Sequence, residues 1–309
     1  MNADLDVRVV ESRIRQEEAG RTLADHLAKR FTYRDRAGWI ERIAAGELHL
    51  DDRVAAADDV LLPGMVLRYF PGEIAEPPVD LRYQVVYEDD SVLVIDKSGD
   101  LPTHPSGIFY RNTLWYLLRK RFGAIHFVNR LDRETSGLLL AARNPEMAAA
   151  LSGKIMEKHY LALVYGVFPE HWDAAGFLTR DPQSMIRKKR RFAAELPPGE
   201  KGETAETRFR LLKSNGTMSL VEAIPVTGRL HQIRATLYSL GYPLAGDKLY
   251  GVDEQCFLQF CREGNSPAMT AHLGMPRQAL HSARFSFFHP EKQKLLTFCS
   301  SYPEDFLHL

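Results

Sequence analysis

Two hydrophobic periodicities follow one another along the chain. In "RTLADHLAKRF" (21–31), Leu23, Leu27 and Phe31 recur every fourth position, which predicts a helix with one buried face. "RAGWIERIAAGELHLDDR" (36–53) predicts a second helix through Trp39, Ile40 and Ile43, stopped at Gly46, and then short strands in "ELHLDD" and "GMVLRYF". Two helices and a small hairpin make a unit of roughly 50 residues, near the lower limit for a self-sustaining core. Beyond a proline-rich, acidic segment without apolar period, "PGEIAEPPVD" (71–80), the spacing turns to two. "YQVVYEDDSVLVIDK" predicts two strands around an Asp-Asp-Ser turn, "HYLALVYGVF" a third, and "ETRFRLLKSNGTMSLVEAIPV" a hairpin closed at Asn215-Gly216. "RQALHSARFSFFHP" alternates as a strand as well. Helices interrupt at "NTLWYLLRKRF", capped by Asn112, and at "NPEMAAALSGKIMEK", with Asn144 as cap and Pro145 in the first turn. A last one is predicted at "RLHQIRATLYSLG", where Leu230, Ile233, Leu237 and Leu240 are spaced three and four apart and Gly241 ends the run. Strands with irregularly inserted helices imply an α+β fold on a mixed sheet, not a doubly wound parallel one. The expected domains are 19–71 and 80–309.

Composition narrows the chemistry. With 309 residues, 45% hydrophobic and 26% charged, the chain suits two domains with a real core. No apolar run approaches the ~18 residues of a membrane span, and the first residues lack the basic-then-apolar order of a secretory signal. Three cysteines, Cys256, Cys261 and Cys299, are too few for a disulfide framework and fit a reducing, cytoplasmic setting. Paired Cys-x-x-Cys ligands, a phosphate-binding Walker loop and a dinucleotide glycine fingerprint are absent from the sequence, so neither metal nor cofactor is expected. The formal charge is zero, yet "TRDPQSMIRKKRR" (179–191) holds six Arg or Lys against one Asp, a run that suits a solvated face or a phosphate backbone.

Candidate reactive residues gather in two places. "FVNRLDRETSGLLLAAR" (127–143) sets Arg130, Asp132, Arg133 and Glu134 in a polar loop between apolar strands. An arginine beside Asp132 would keep its carboxylate charged, as a nucleophile or electrostatic stabiliser requires. A salt-bridged structural turn would read the same way. In "VTGRLHQIRATLYSLGYPLAGDKLYG" (226–251), His231 and Arg234 are three apart and are expected on one helix face, with Thr227, Gly228 and Arg229 at the helix entrance, where an anion can be received. Asp247 and Tyr250 lie in a glycine-bounded turn, Tyr160 at the start of a strand, and Leu280 and His281 in another.

In this order, "NRLDRETSGLLL", "EKHYLALVYG", "AETRF", "TGRLHQIR", "GYPLAGDKLYG" and "LHSARFSFFHP" resemble the RluA-type pseudouridine synthases over nearly all of residues 80–300. "DKSGDLPTHPSG" (96–107) resembles that family's Lys-Pro-x-Gly segment, with Ser98 in place of proline, and residues 19–71 resemble an S-four-like RNA-binding domain. The resemblance implies a mainly antiparallel catalytic sheet behind a small RNA-binding α/β unit. It implies Asp132 as the catalytic aspartate, Tyr160 packed on the target base, Arg234 paired with the aspartate, Arg130 displacing the base from its stack, and Leu280 lining the pocket. Arg229 and His231 are taken as further substrate-binding residues. Asn129 and Thr236 stand where histidines are frequent in the family.

The expected activity is isomerisation of uridine in RNA, in large-subunit ribosomal RNA first and transfer RNA as the alternative. The expected enzyme is a cytoplasmic monomer that needs no cofactor. A non-catalytic RNA-binding protein on the same scaffold is disfavoured by the intact Asp132, Tyr160 and Arg234. A phosphate-dependent nucleosidase acting on free nucleosides is disfavoured by the front domain and the basic run.

Overall fold

The structure, a computed structural model, describes residues 7–31, 34–72 and 75–306. The chain forms two compact units, Met1–Glu76 and Pro77–Leu309.

In the front unit, β1 (Val10–Arg13), β2 (Leu48–Leu50), β3 (Arg53–Val54) and β4 (Val66–Tyr69) form an antiparallel sheet in the order β1-β4-β2-β3. Helices α1 (Leu23–Arg30) and α2 (Arg36–Ala44) pack on it through Leu23, Leu27, Trp39 and Ile43. Thr22 and Asp35 cap them by accepting the Asp25 and Gly38 amides, so both begin where a short polar side chain satisfies an otherwise orphaned N–H. The strand β1 lies before residue 19, ahead of the stretch in which the sequence pattern begins. Of the expected linker, residues 73 and 74 lie outside the described residues.

The larger unit is built on one sheet. Its strands are β5 (Tyr83–Glu88), β6 (Val92–Lys97), β7 (His126–Phe127), β8 (Ser136–Ala142), β9 (Ile155–Tyr165), β10 (His171–Arg180), β11 (Arg190–Ala193), β12 (Glu203–Ser214), β13 (Met218–Pro225), β14 (Leu280–His289) and β15 (Lys294–Cys299). The order is β11-β10-β12-β13-β9-β14-β8-β6-β5, with β15 on β14 and β7 on β8. Among the described residues only the contact between β14 and β8 is parallel, and it spans two residue pairs. The α+β, mainly antiparallel expectation therefore holds. The helices are α3 (Leu114–Phe122), α4 (Pro145–Leu151), α5 (Gln232–Ser239), α6 (Gln255–Glu263) and α7 (Pro267–Leu273). Among the described residues no helix is long and apolar enough to cross a membrane.

Three local expectations are corrected. Thr113, not Asn112, caps α3, and the Asn112 amide donates to the Pro77 carbonyl instead. Helix α4 ends at Leu151 and the segment from Ile155 joins β9, because Gly153 takes a positive φ of 71° that breaks the helix. Helix α5 starts at Gln232, so His231 is not on a helical face shared with Arg234 and Leu230 is exposed rather than core. The buried Gln232 side chain causes this late start. It accepts from the Arg229 amide (3.0 Å) and the Thr227 hydroxyl (2.7 Å), and donates to the Glu206 carbonyl and Thr207 hydroxyl (2.9 Å each), winding 227–231 into a tight turn on β12.

The central strand β9 lies between β13 and β14. Beside it, β14 meets β8 only through His281–Ser136 and Ser282–Gly137. A side chain at Gly137 (φ 101°) would put its Cβ 2.3 Å from the Ser282 carbonyl oxygen, so only glycine lets the two backbones meet there. The loop joining β7 to β8 comes off the sheet at this point, carrying Asp132.

Candidate active site

The loop 128–135 is tied from several sides. Thr103 donates to the Leu131 carbonyl at 2.7 Å, and the Leu101 amide and Lys97 ammonium reach the Arg133 carbonyl at 3.1 and 3.0 Å. Asn129 accepts the Leu140 amide at 2.8 Å, Gln278 donates to Thr135, and the buried Lys248 pairs with Glu134. Arg133 turns outward to Asp100 at 2.7 Å and stacks over Phe109 and Phe260. Most polar residues of this loop thus serve as its scaffold. Asp132 and the exposed Arg130 are exceptions, and the Asp132 side chain is 32% exposed.

Opposite it stands Arg234, in the first turn of α5. Its Nη1 donates to Asp132 Oδ2 at 2.5 Å, while Nε and Nη2 make a two-pronged contact with Asp247 at 2.7 and 2.9 Å. Asp247 is fully buried, and its Oδ1 also accepts the amides of Leu249 and Tyr250 at 2.9 Å each. The guanidinium lies over the Tyr250 ring, 5.0 Å from its centre. Asp247 therefore fixes the arginine, and the arginine serves Asp132. Burial pushes the Asp132 carboxyl up, but the Arg234 charge outweighs it and holds the group down at about 2. At neutral pH the carboxylate is ionised, which fits a nucleophile or charge stabiliser and not a general acid.

Tyr160 sits midway along β9, between Ala223 of β13 and Ser282 of β14, not at the strand's start. Its side chain packs against the cluster that contains Leu280 and Ile233 and against the one that contains Leu131, within reach of the Asp132 charge. Burial pushes its hydroxyl up to about 12. The phenol therefore stays protonated, and the pocket tunes it away from ionisation. Leu280, buried at the start of β14, joins the same apolar wall.

The other candidates are placed differently. Arg130 is exposed on the loop two residues before Asp132. Arg229 turns from the site: its Nε donates to the Thr204 carbonyl at 3.2 Å and its Nη1 lies 3.7 Å from Glu203. His231 caps α5 and brings Nε2 to 4.0 Å from Asp132 Oδ1. Thr236 is buried, with a hydroxyl that has no hydrogen-bond partner among the described residues. Within the basic run, Lys189 pairs with Glu254 (2.8 Å) and Arg191 with Glu200 (2.7 Å), and the Lys188 ammonium rests over Phe257, 4.1 Å from the ring centre. Part of that run is therefore committed within the protein. The sequence reading left Asp247 and Tyr250 as a turn and did not single out Gln232. Their glycine-bounded, polar setting in the sequence was a signal, but the partner that gives them purpose is reached only by folding.

Comparison with known proteins places the chain in a family. Residues 91–239 match the family model described as RNA pseudouridylate synthase. Ribosomal large subunit pseudouridine synthase C of Vibrio cholerae is 31% identical over 267 residues, 82% of this chain and 79% of that protein. The mitochondrial tRNA pseudouridine(32) synthase of Saccharomyces cerevisiae is 34% identical over 239 residues, 75% of this chain but 51% of that protein, so the chain spans about half of that relative. The solved structure of human RNA Pseudouridylate Synthase Domain Containing 1 superposes with a TM-score of 0.56 at 24% identity, over 75% of this chain and 88% of that one, a likeness of fold. The chain belongs to the RluA-type family of RNA pseudouridine synthases.

Proposed function

We propose that the chain isomerises specific uridines in RNA, with Asp132 as the catalytic carboxylate, Tyr160 and Leu280 as the walls that hold the base, and Arg234 as the residue that keeps Asp132 charged. The observation that carries the reading is the 2.5 Å contact from Arg234 to an Asp132 that is still partly open to solvent. The reaction detaches uracil from its ribose and rejoins it through carbon, so the site must stabilise charge at the sugar or add to it while preventing escape of the free base. A protonated Tyr160 face and an exposed Arg130 suit a base taken out of its stack. His231 belongs to the same site, and Arg229 acts instead on the segment leading into α5.

The preferred substrate is large-subunit ribosomal RNA, in keeping with the Vibrio cholerae relative's name. The yeast relative's name supports transfer RNA as the second reading. The front unit is read as an RNA-binding module, and the protein as a cytoplasmic monomer. Incubation with protein-free transcripts of both RNA classes, followed by mapping of pseudouridine, tests this. Modification of a defined ribosomal uridine supports it, modification of transfer RNA alone moves the target to the second reading, and none in either overturns the activity.

A further inference from the structure

His231 adopts φ 56° and ψ 22°, a left-handed conformation that non-glycine residues rarely take. Such strain persists only where the surroundings enforce it, and it gathers at working sites. Here it turns the imidazole into the protein, leaving the side chain 6% exposed. Nδ1 lies 3.0 Å from the Tyr250 hydroxyl, which also accepts the Arg190 amide at 2.9 Å. Tyr250 is fully buried, and among the described residues its hydroxyl proton has no other acceptor, so the proton points at Nδ1. The ring proton then sits on Nε2. The groups facing the ring are Asp132, Arg234, Lys188, Asp247 and Tyr250, and burial together with Arg234 holds the imidazole down at about 4, neutral at physiological pH.

Nε2 faces Asp132 Oδ1 at 4.0 Å, too far for a direct hydrogen bond, while Arg234 occupies Oδ2. An oxygen about 2.8 Å from both atoms would bridge them, accepting from Nε2–H and donating to Oδ1. It must therefore be both acceptor and donor. Uracil carbonyls and phosphate oxygens only accept, and N3–H only donates. Water can do both, but among the oxygens of an RNA chain, whose 3′ and 5′ oxygens are esterified, only the 2′-hydroxyl can. We propose that His231 and Asp132 bracket the 2′-hydroxyl of the target nucleotide, that His231 acts as a neutral Nε2–H donor, and that Tyr250 is the positioning residue that fixes this tautomer. The pair would make the site select ribose over deoxyribose. This rests on the synthase reading above.

The test uses a synthetic oligoribonucleotide spanning the uridine modified by the wild-type protein, made with ribose or with 2′-deoxyribose at that position. Wild type should lose at least tenfold in kcat/KM on the deoxy substrate. His231→Leu should lose a similar factor on the ribose substrate and discriminate less than threefold, and His231→Gln, which keeps a donor near Nε2, should recover discrimination. Tyr250→Phe should lower discrimination and move the acid limb of the pH–rate profile upward, because the bond stabilising the neutral ring is gone. Nitrogen NMR of the wild-type protein should find Nδ1 bare and Nε2 protonated, a result that does not depend on any variant folding. Equal discrimination by wild type and His231→Leu, or a proton on Nδ1, overturns the proposal. A wild type that forms pseudouridine in none of the RNAs overturns the synthase reading itself.

Discussion

Arg234 and Asp132 are 102 positions apart in the chain and 2.5 Å apart in space, and the same guanidinium holds the buried Asp247 with its other two nitrogens. The arginine is thereby a shared counter-charge: one carboxylate is structural and sealed, and the other is available to a substrate.

Asp132→Asn should abolish turnover while leaving RNA affinity nearly unchanged, because it removes a charge at the reaction centre and no phosphate contact. Single-turnover assays and filter binding check both halves, and residual activity within tenfold of wild type would remove Asp132 from the catalytic role.

Arg234→Met should fail in two ways. It leaves Asp247 buried without its counter-charge, which costs about 3–5 kcal/mol and should appear as a large drop in Tm. Any folded fraction should need a higher pH for activity, since burial alone raises the Asp132 pKa once the arginine is absent. An unaltered acid limb would show that Arg234 does not tune Asp132.

Gly137→Ala should destabilise the larger unit by about 2–4 kcal/mol, from a positive φ combined with a backbone clash at Ser282. Denaturant unfolding gives the number. A loss under about 1 kcal/mol would mean that the contact between β8 and β14 yields easily.

The front unit should lose stability in acid in two stages. His26 is buried with neither ring nitrogen hydrogen-bonded among the described residues, and burial lowers its pKa. Its contribution is intact above the unfolded value near ~6.5 and is lost as pH falls below it. Glu18 is held at about 2, first by its hydrogen bond from Arg15 and also by Arg30, and its contribution is lost between the ordinary glutamate range and that value. Urea titrations of residues 1–76 followed by the buried Trp39 should show the first loss beginning as the pH falls below about 6.5. A His26→Leu variant with the same profile as wild type would assign that loss elsewhere.

Deleting the front unit should leave residues 77–309 able to form pseudouridine at high RNA concentration, with weaker binding and a shallower dependence on salt. In that unit Arg30 and Arg36 are paired with Glu18 and Asp25, whereas Lys29 is exposed and Arg34 stacks on Trp39. The phosphate-facing charge is therefore expected from Lys29 and Arg34. A truncation that binds with the same affinity and salt slope would show that the front unit does not read RNA.

The sequence by itself determined most of the elements and, through its motifs, the family. Alternation and fourfold spacing marked most strands and helices, because burial on one face imposes a period of two or of 3.6 on any chain. The polar loop between apolar strands offered Asp132 as a candidate beside a plain structural turn, and the family motifs implied Asp132, Tyr160, Arg234 and Leu280 as site residues. The family resemblance implied the pairing of Arg234 with Asp132, and only the tertiary structure decided the other partners. The Arg130–Asp132–Arg133 stretch suggests an aspartate tuned by its neighbours, but Arg133 leaves for Asp100 and the tuning charge comes from α5. Arg229, adjacent in pattern, leaves the site for β12. His231, read as part of a helical face, became a strained cap because Gln232 spends its hydrogen bonds winding the preceding turn, an effect of long-range partners that no local period encodes. Periodicity reports what each segment buries, whereas electrostatics depends on distances of a few ångströms between segments far apart in the chain, and those are set only when the sheet closes.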